Sequence, residues 1–159
     1  MLVDHTRFGR LPQGLQAGSG SYDPIIGAVW TTQTLQWELD ADVGYKFNTE
    51  ANNFAFGDVL FYNLSYQRRL WPRSLPEEGV PAFWYGVLEL NGTYADNNSI
   101  AGREDRNSGG HTMFLSPGVQ WVNPRWVLEA AVQIPIVQDL NGSALEVDYA
   151  ATMGLRFRF

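Results

Sequence analysis

Alternation of apolar and polar residues is the dominant pattern along this chain. Between Leu35 and Asn48 every odd position is apolar, and every even position is polar, charged or glycine. This period of two predicts a long β-strand with one apolar and one polar face. A second run of the same kind extends from Leu145 to Phe159. Both predicted strands are longer than the roughly five or six residues that are usual.

Weaker alternation predicts four further strands, at residues 60–67, 84–94, 112–121 and 126–136, and residues 25–32 are predicted as a short, mostly apolar strand. An eighth, weaker candidate lies within residues 1–10, and residues 1–23 are otherwise irregular. The helical apolar spacing i, i+3, i+4, i+7 does not occur over a useful length. The predicted fold class is therefore all-β: an antiparallel up-and-down β-barrel, built as a meander within a single domain over residues 1–159.

The connections between the predicted strands differ in length. Residues 31–34 and 122–125 are short turns, whereas 49–57 is longer and 96–110 is a long, polar, Gly-rich loop. Short turns on one side and longer loops on the other are typical of outer-membrane barrels. The connection 71–81 departs from this rule, because it is long where a short turn is expected. Pro117 and Pro135 lie inside predicted strands. A bulge would accommodate Pro117, and Pro135 would lie at a bulge or at a strand end.

An alternating meander can place its apolar face in either of two directions. In a soluble lipocalin-type barrel, Trp37 and Leu39 would point inward and Asp40 outward. In a transmembrane barrel the apolar face contacts lipid and the polar face lines the lumen. The second arrangement is favoured by aromatic residues near strand ends, as in interfacial girdles. These are Trp30, Trp37, Tyr45, Phe47, Trp84, Tyr94, Trp121, Trp126, Phe157 and Phe159.

The last eight residues carry a recognisable motif. Thr152, Gly154, Phe157 and Phe159 occupy the polar, glycine, hydrophobic and terminal aromatic positions of a pattern that resembles the C-terminal assembly signal of bacterial outer-membrane barrels. The resemblance implies that the barrel-assembly machinery is a partner and reads this strand by pairing with its edge.

A larger part of the chain, roughly residues 17–159, resembles one family. Residues 116–120, 126–136 and 138–142, with Gly18–Asp23 and Phe56–Asp58, are similar to the outer-membrane transporters grouped as the MetA-pathway of phenol degradation family. The resemblance implies a location in the bacterial outer membrane and a small-molecule solute as a partner. Family members are longer and carry a signal peptide, so we expect this chain to be the C-terminal part of a larger barrel.

The composition of the chain excludes several classes of function. The net charge of −6 without a Lys/Arg cluster argues against a nucleic-acid partner, and the absence of cysteine excludes disulfide and thiolate chemistry. The longest apolar stretch, residues 82–88, is far shorter than the about 20 residues of a membrane-spanning helix. Neither His5 nor His111 has the neighbours of a metal or catalytic site, and loop composition explains His111. No enzyme activity, metal or cofactor is therefore expected.

Charged residues on the polar faces are the candidate lumen lining. We expect the acids near mid-wall and the arginines toward the turn end, because Phe159 would lie on the periplasmic side. The acids would favour cations in the lumen, or acids and arginines would only pair with one another. The candidates are Glu38, Asp40, Asp42, Arg69, Glu89, Glu129, Asp148 and Arg156.

The function expected from these observations is that of an outer-membrane channel or transporter for small, aromatic or hydrophobic molecules. Outer-membrane lipid would be a further partner of the barrel. The alternative is a small closed barrel with a structural or surface-interaction role, because eight strands would leave an interior filled by side chains.

Overall fold

The computed structural model describes residues 18–158, which form ten β-strands and two antiparallel sheets. The strands are β1 (Ile25–Gln33), β2 (Trp37–Lys46), β3 (Phe54–Ala55), β4 (Val59–Trp71), β5 (Phe83–Ala95), β6 (Asn98–Ile100), β7 (Arg103–Asp105), β8 (Gly110–Val122), β9 (Trp126–Leu140) and β10 (Ala150–Phe157).

The main sheet has seven strands in the order β1-β2-β4-β5-β8-β9-β10, so each long strand pairs with the next one along the chain. The all-β, up-and-down antiparallel fold is therefore confirmed. Within residues 18–158, β1 and β10 are the edges of this sheet, and they do not pair with each other. The weak eighth strand predicted for residues 1–10 lies outside the described residues.

Two of the predicted strands are shorter in the structure. Leu35 lies in the turn before β2, where the Thr34 hydroxyl accepts hydrogen bonds from the N–H groups of Gln36 and Trp37 at 3.2 and 3.1 Å. At the other end, Leu145 to Tyr149 keep the alternation but precede β10, so the predicted start of this strand was wrong.

A missing backbone partner explains the late start of β10. The pairing of β9 with β10 ends at Gln133 and Ala150, while β9 continues to Leu140 beside β8 only. Before β10 begins, the N–H of Val147 donates to the side-chain oxygen of Gln138 at 2.7 Å. A side-chain contact of this kind replaces the ladder bond that a strand would need.

The long connection 96–110 is not the irregular loop that its composition predicts. It contains the hairpin β6–β7, which pairs through β6 with β3. Ala101 and Gly102 form the hairpin turn with φ values of 51° and 73°. Positive φ at both central residues is characteristic of the type I′ turn, whose twist suits a tight hairpin. Ala101 lacks the usual Asn or Asp of such turns, which explains why the sequence did not show the hairpin.

The connections after β2, β5 and β9 lie at one end of the main sheet, which we call the loop end. Hydrogen bonds join the segments at this end to one another. Asp23 accepts a bond from the N–H of Thr49 at 3.0 Å. Asn98 accepts one from the N–H of Gly57 at 3.0 Å. The amide of Asn141 donates to the side-chain oxygen of Asn97 at 2.8 Å. Contacts between segments far apart in sequence thus fix the loops into one structured layer. The opposite end carries the turns after β1, β4 and β8, and we call it the turn end.

Pro117 and Pro135 affect the sheet differently. The ladder between β8 and β9 has no partner positions at Ser116 and Pro117, but the register is the same on both sides of this gap. Beside Pro135 the register shifts, with Phe114 opposite Pro135 and Met113 opposite Val137. The extra residue of the bulge is therefore Ile136, next to Pro135, and Pro117 is accommodated by an interruption of the pairing without a bulge.

The two faces of the main sheet differ in exposure. Along β9 the apolar positions Trp126, Leu128 and Val132 are exposed, whereas Glu129 and Gln133 between them are half-buried. The polar face is thus the more covered one, which is the property of the concave side of a curved sheet. No hydrophobic residue among residues 18–158 is buried. Within the same residues, no helix is long and apolar enough to cross a membrane.

Candidate functional site

The register of the main sheet brings seven of the eight predicted lumen residues to the polar face. Asp40 is opposite Ser65, which is opposite Glu89, and Glu89 is opposite Ser116. The other five that share this face are Glu38, Asp42, Arg69, Glu129 and Arg156. Asp148 precedes β10 and lies in no strand.

The charges on this face are separated along the strands. Asp40, Asp42 and Glu89 lie in the middle of their strands, whereas Arg69 and Arg156 lie near the turn end. A polar solute that moves along this face would therefore meet arginines at one end and carboxylates further in. Whether these residues line a lumen stays a prediction.

A row of hydrogen-bonded side chains crosses the polar face over four neighbouring strands. The amide of Asn63 donates to the Asp42 carboxylate at 2.8 Å, and the amide of Asn91 donates to Asn63 at 3.1 Å. The hydroxyl of Ser116 then donates to Asn91 at 3.3 Å. Ser116 is only 2% exposed and is the most buried polar residue of the described chain. The row links β2, β4, β5 and β8 and holds their polar side chains in fixed positions.

Glu129 forms the second polar group of this face. Its carboxylate oxygen Oε2 accepts hydrogen bonds from the guanidinium of Arg156 at 2.7 Å and from the amide of Gln120 at 3.1 Å. The bond to Arg156 is also an ion pair between β9 and β10. For this pair, the expectation that acids and arginines satisfy one another is correct.

The remaining acids of the face are not neutralised in this way. Residues 18–158 contain two ion pairs, Lys46 with Asp23 and Arg156 with Glu129. Asp40 accepts a hydrogen bond from the Thr31 hydroxyl at 2.6 Å. Because a hydroxyl is uncharged, this bond does not neutralise the charge of the carboxylate. Among the predicted lumen acids that lie in strands of this face, Glu38, Asp40, Asp42 and Glu89 have no ion-pair partner within residues 18–158.

A hollow of about 410 Å³ opens on the polar face between these two groups. Gly118 and Ala131 are directly opposite each other on β8 and β9 and form part of its floor. Glu89 borders it toward the loop end, and Gln120 and Glu129 border it toward the turn end. We call this cavity the β8–β9 hollow.

The apolar face carries aromatic side chains near both ends of the sheet. Toward the turns, the rings of Trp84 and Trp121 lie 6.4 Å apart, and those of Trp126 and Phe157 lie 4.4 Å apart. Tyr94 lies on the same face toward the loops. Trp30 lies next to the midpoint of β1, opposite Ala41 of β2. Its place in an interfacial girdle stays a prediction.

The distance between the aromatic groups at the two ends of the apolar face follows from the geometry of β5. Trp84 and Tyr94 are separated by ten positions of β5, which is about 33 Å along a strand. At a tilt of about 40° this becomes about 25 Å, the height of the apolar band of outer-membrane barrels. The rows between them contain mainly Leu, Val, Ile, Ala and Met, together with Arg68, which is opposite Trp37 and Gly86.

His111 lies in β8 and not in the preceding loop, so the interpretation from loop composition was wrong. Its Nε2 atom is hydrogen-bonded to the hydroxyl of Tyr62 at 2.7 Å on the apolar face. Residues 18–158 contain no group of three His, Asp or Glu side chains arranged to hold a metal ion.

The motif residues of the last strand point to both faces. Thr152 and Gly154 lie on the polar face, opposite Ala131 and Glu129. Phe157 lies on the apolar face beside Trp126, and Phe159 lies outside the described residues.

Some polar groups of this face were not singled out from the sequence. The alternation along the strands does predict that these groups lie on the polar face. They are Asn63, Asn91, Ser116 and Gln120. Their hydrogen-bond partners lie on other strands, so the partners follow only from the register between strands.

One comparison with known proteins identifies the family. The family model described as "Putative MetA-pathway of phenol degradation" matches residues 9–134, more than half of the chain. The chain belongs to this family. The match covers β1 to β8 and most of β9, and the resemblance stated from the sequence is thereby confirmed. No curated protein and no solved structure matches the chain.

Proposed function

We propose that this member of the MetA-pathway of phenol degradation family forms part of an outer-membrane β-barrel that passes small molecules along its polar face. The observation that carries the proposal is the burial pattern: the apolar face is exposed, and no hydrophobic residue of the described chain is buried. A soluble barrel would bury these side chains in a dry core. Lipid contact explains their exposure, and the aromatic spacing of about 25 Å agrees with it.

The direction of the strands follows from the same proposal. With the C-terminus of β10 on the periplasmic side, the structured loop layer of β3, β6 and β7 faces outward from the cell. Solutes would then pass the unneutralised acids Asp40, Asp42 and Glu89 between the loops and the arginines near the turns. Edge strands β1 and β10 would pair with further strands in the complete barrel, because an exposed edge is otherwise open to non-native pairing.

A cysteine-labelling experiment tests the orientation of the faces. The chain has no cysteine, so Leu64→Cys and Ser65→Cys each create a single labelling site on opposite faces of β4. In lipid vesicles, a fluorophore at position 64 should be quenched by nitroxide-labelled acyl chains. Position 65 should react with a water-soluble thiol reagent and escape the lipid quencher. Quenching at 65 and not at 64 would contradict the proposal.

Transport is tested separately. The complete protein that contains this chain should migrate differently in detergent gels before and after heating, and it should give conductance or solute uptake in lipid vesicles. A fully soluble protein that needs no detergent would refute the membrane proposal. A heat-modifiable protein that gives neither conductance nor uptake would refute the channel role and retain the membrane location.

A further inference from the structure

The β8–β9 hollow has the dimensions of a small-molecule site. Its volume of about 410 Å³ lies in the range of roughly 300–1,000 Å³ that is usual for ligand pockets. Val87, Gly118 and Ala131 are in register across β5, β8 and β9, and their small or compact side chains leave the space open. These three residues give the floor an apolar patch that suits a compact hydrocarbon body, and Gln67, Gln120 and Thr152 add polar groups around it.

Glu89 determines the charge of the hollow. It faces Ser65 on β4 and Ser116 on β8, both uncharged, and it has no ion-pair partner within residues 18–158. Glu129 on the other side of the hollow is already neutralised by Arg156 at 2.7 Å. A ligand in the hollow would therefore contact the Glu89 carboxylate, which has no ion-pair partner, and the Glu129 carboxylate, which is paired with Arg156.

We propose that the β8–β9 hollow binds small organic ammonium compounds. The cationic group pairs with the Glu89 carboxylate, and the apolar body lies against Gly118 and Ala131. Asp40 and Asp42 on the same concave face add to the negative potential, which a concave wall concentrates. An anion of the same shape is repelled by these charges. This inference rests on the proposed function for access of solutes to the polar face.

Three probes with the same ring and different charge test the proposal: benzylammonium, benzyl alcohol and benzoate. Their binding to the full chain reconstituted in lipid is measured by calorimetry at pH 7 and low salt. We expect benzylammonium to bind roughly tenfold more tightly than benzyl alcohol, because a charge-assisted hydrogen bond is gained. Benzoate should not bind measurably, and added salt should weaken the binding of benzylammonium.

Two variants separate the contributions of charge and space. Glu89→Gln keeps the shape and should abolish the preference for benzylammonium over benzyl alcohol. Ala131→Leu fills the hollow and should weaken both ligands. The matched control is Glu104→Gln in β7 of the loop layer, which changes the net charge equally and should leave both affinities within about twofold, as expected for a screened distant charge.

The proposal is overturned if benzoate binds as tightly as benzylammonium, if Glu89→Gln retains the preference, or if Glu104→Gln removes it. Its failure is distinguishable from that of the proposed function. Normal conductance of the wild type without benzylammonium binding would refute the ammonium site alone. Absence of conductance together with full solubility would refute the proposed function.

Discussion

The carboxylate of Glu129 lies directly over Gly154 of the neighbouring strand. A Cβ atom added at Gly154 would come within 2.7 Å of the Glu129 oxygen Oε1. The absence of a side chain at 154 lets Glu129 reach along β10 to Arg156, with which it forms the ion pair of 2.7 Å. The glycine of the C-terminal motif therefore has a role within the folded sheet, beside the role in assembly that the motif implies.

Gly154→Ala should weaken the attachment of β10 to β9. The added methyl group displaces the Glu129 carboxylate from Arg156, and we expect a loss of about 1 kcal/mol in the free energy of unfolding, near the upper value for an exposed ion pair. Guanidinium chloride unfolding in detergent measures this. In the background of Glu129→Ala the same substitution should cost almost nothing, because the displaced side chain is absent. Equal costs in both backgrounds would contradict the explanation.

A second glycine has a similar relationship on the apolar face. The ring of Tyr62 on β4 lies over Gly92 on β5, where a Cβ atom would collide with it, and its hydroxyl bonds to His111 on β8 at 2.7 Å. One side chain thus links three strands. Gly92→Ala should force the ring aside, break this bond and lower the free energy of unfolding by about 1–3 kcal/mol.

The matched control for Gly92→Ala is Gly86→Ala in the same strand. A Cβ at Gly86 would lie 3.4 Å from the nearest atom of Leu70, an ordinary van der Waals contact. We expect Gly86→Ala to change the free energy of unfolding by less than about 0.5 kcal/mol. If the two alanine variants are equally stable, the contact between Tyr62 and Gly92 does not constrain the sheet.

The period of two in the sequence was sufficient for the main sheet. It assigned six of the seven strands of this sheet, the apolar face with Leu64 and Leu128, and the polar face with Asp40 and Glu129, whereas β1 was predicted from its mostly apolar composition. The reason is physical: a strand has a fixed side-chain period, so parity along the chain determines the face.

Features that depend on register between strands did not follow from the sequence. The contacts of Glu129 with Gly154 and of Tyr62 with Gly92 each require a particular residue to lie opposite a glycine on another strand. The start of β10 also depended on a partner, since Leu145 to Tyr149 alternate but form no backbone ladder with β9. Composition hid the β6–β7 hairpin, because polar and Gly-rich residues are equally typical of loops.

The carboxylate of Asp23 near the loop end should make stability depend on pH. It accepts hydrogen bonds from the hydroxyls of Ser19 and Ser21 at 2.7 Å each, and Lys46 lies 3.6 Å away. Burial acts to raise the pKa of Asp23. The bonds from Ser21, Ser19 and the Thr49 N–H, with the charge of Lys46, outweigh burial and lower the pKa from 3.8 to about 2.

A lowered pKa in the folded state means that the ionised form of Asp23 favours folding. Its contribution is fully present above the unfolded value of 3.8 and is lost as the pH falls toward 2. Unfolding measured between pH 6 and pH 2 should show this loss in the wild type. Asp23→Asn should be less stable at pH 6 and show a smaller decrease below pH 4. Asp148→Asn, a control outside any strand, should keep the wild-type slope, and a slope unchanged in Asp23→Asn would refute the assignment.

The orientation of the two faces predicts unequal costs for the same added charge on β4. Leu64 is on the apolar face in the row of Ala41 and Leu90, whereas Gln67 is on the polar face opposite Glu38. In a bilayer, Leu64→Lys should lower the free energy of unfolding by about 2–4 kcal/mol, the cost of lysine near the midplane. Gln67→Lys places its ammonium beside the Glu38 carboxylate and should cost less than about 1 kcal/mol. Unfolding in lipid vesicles compares the two variants, and equal losses would show that the apolar face of β4 does not contact lipid.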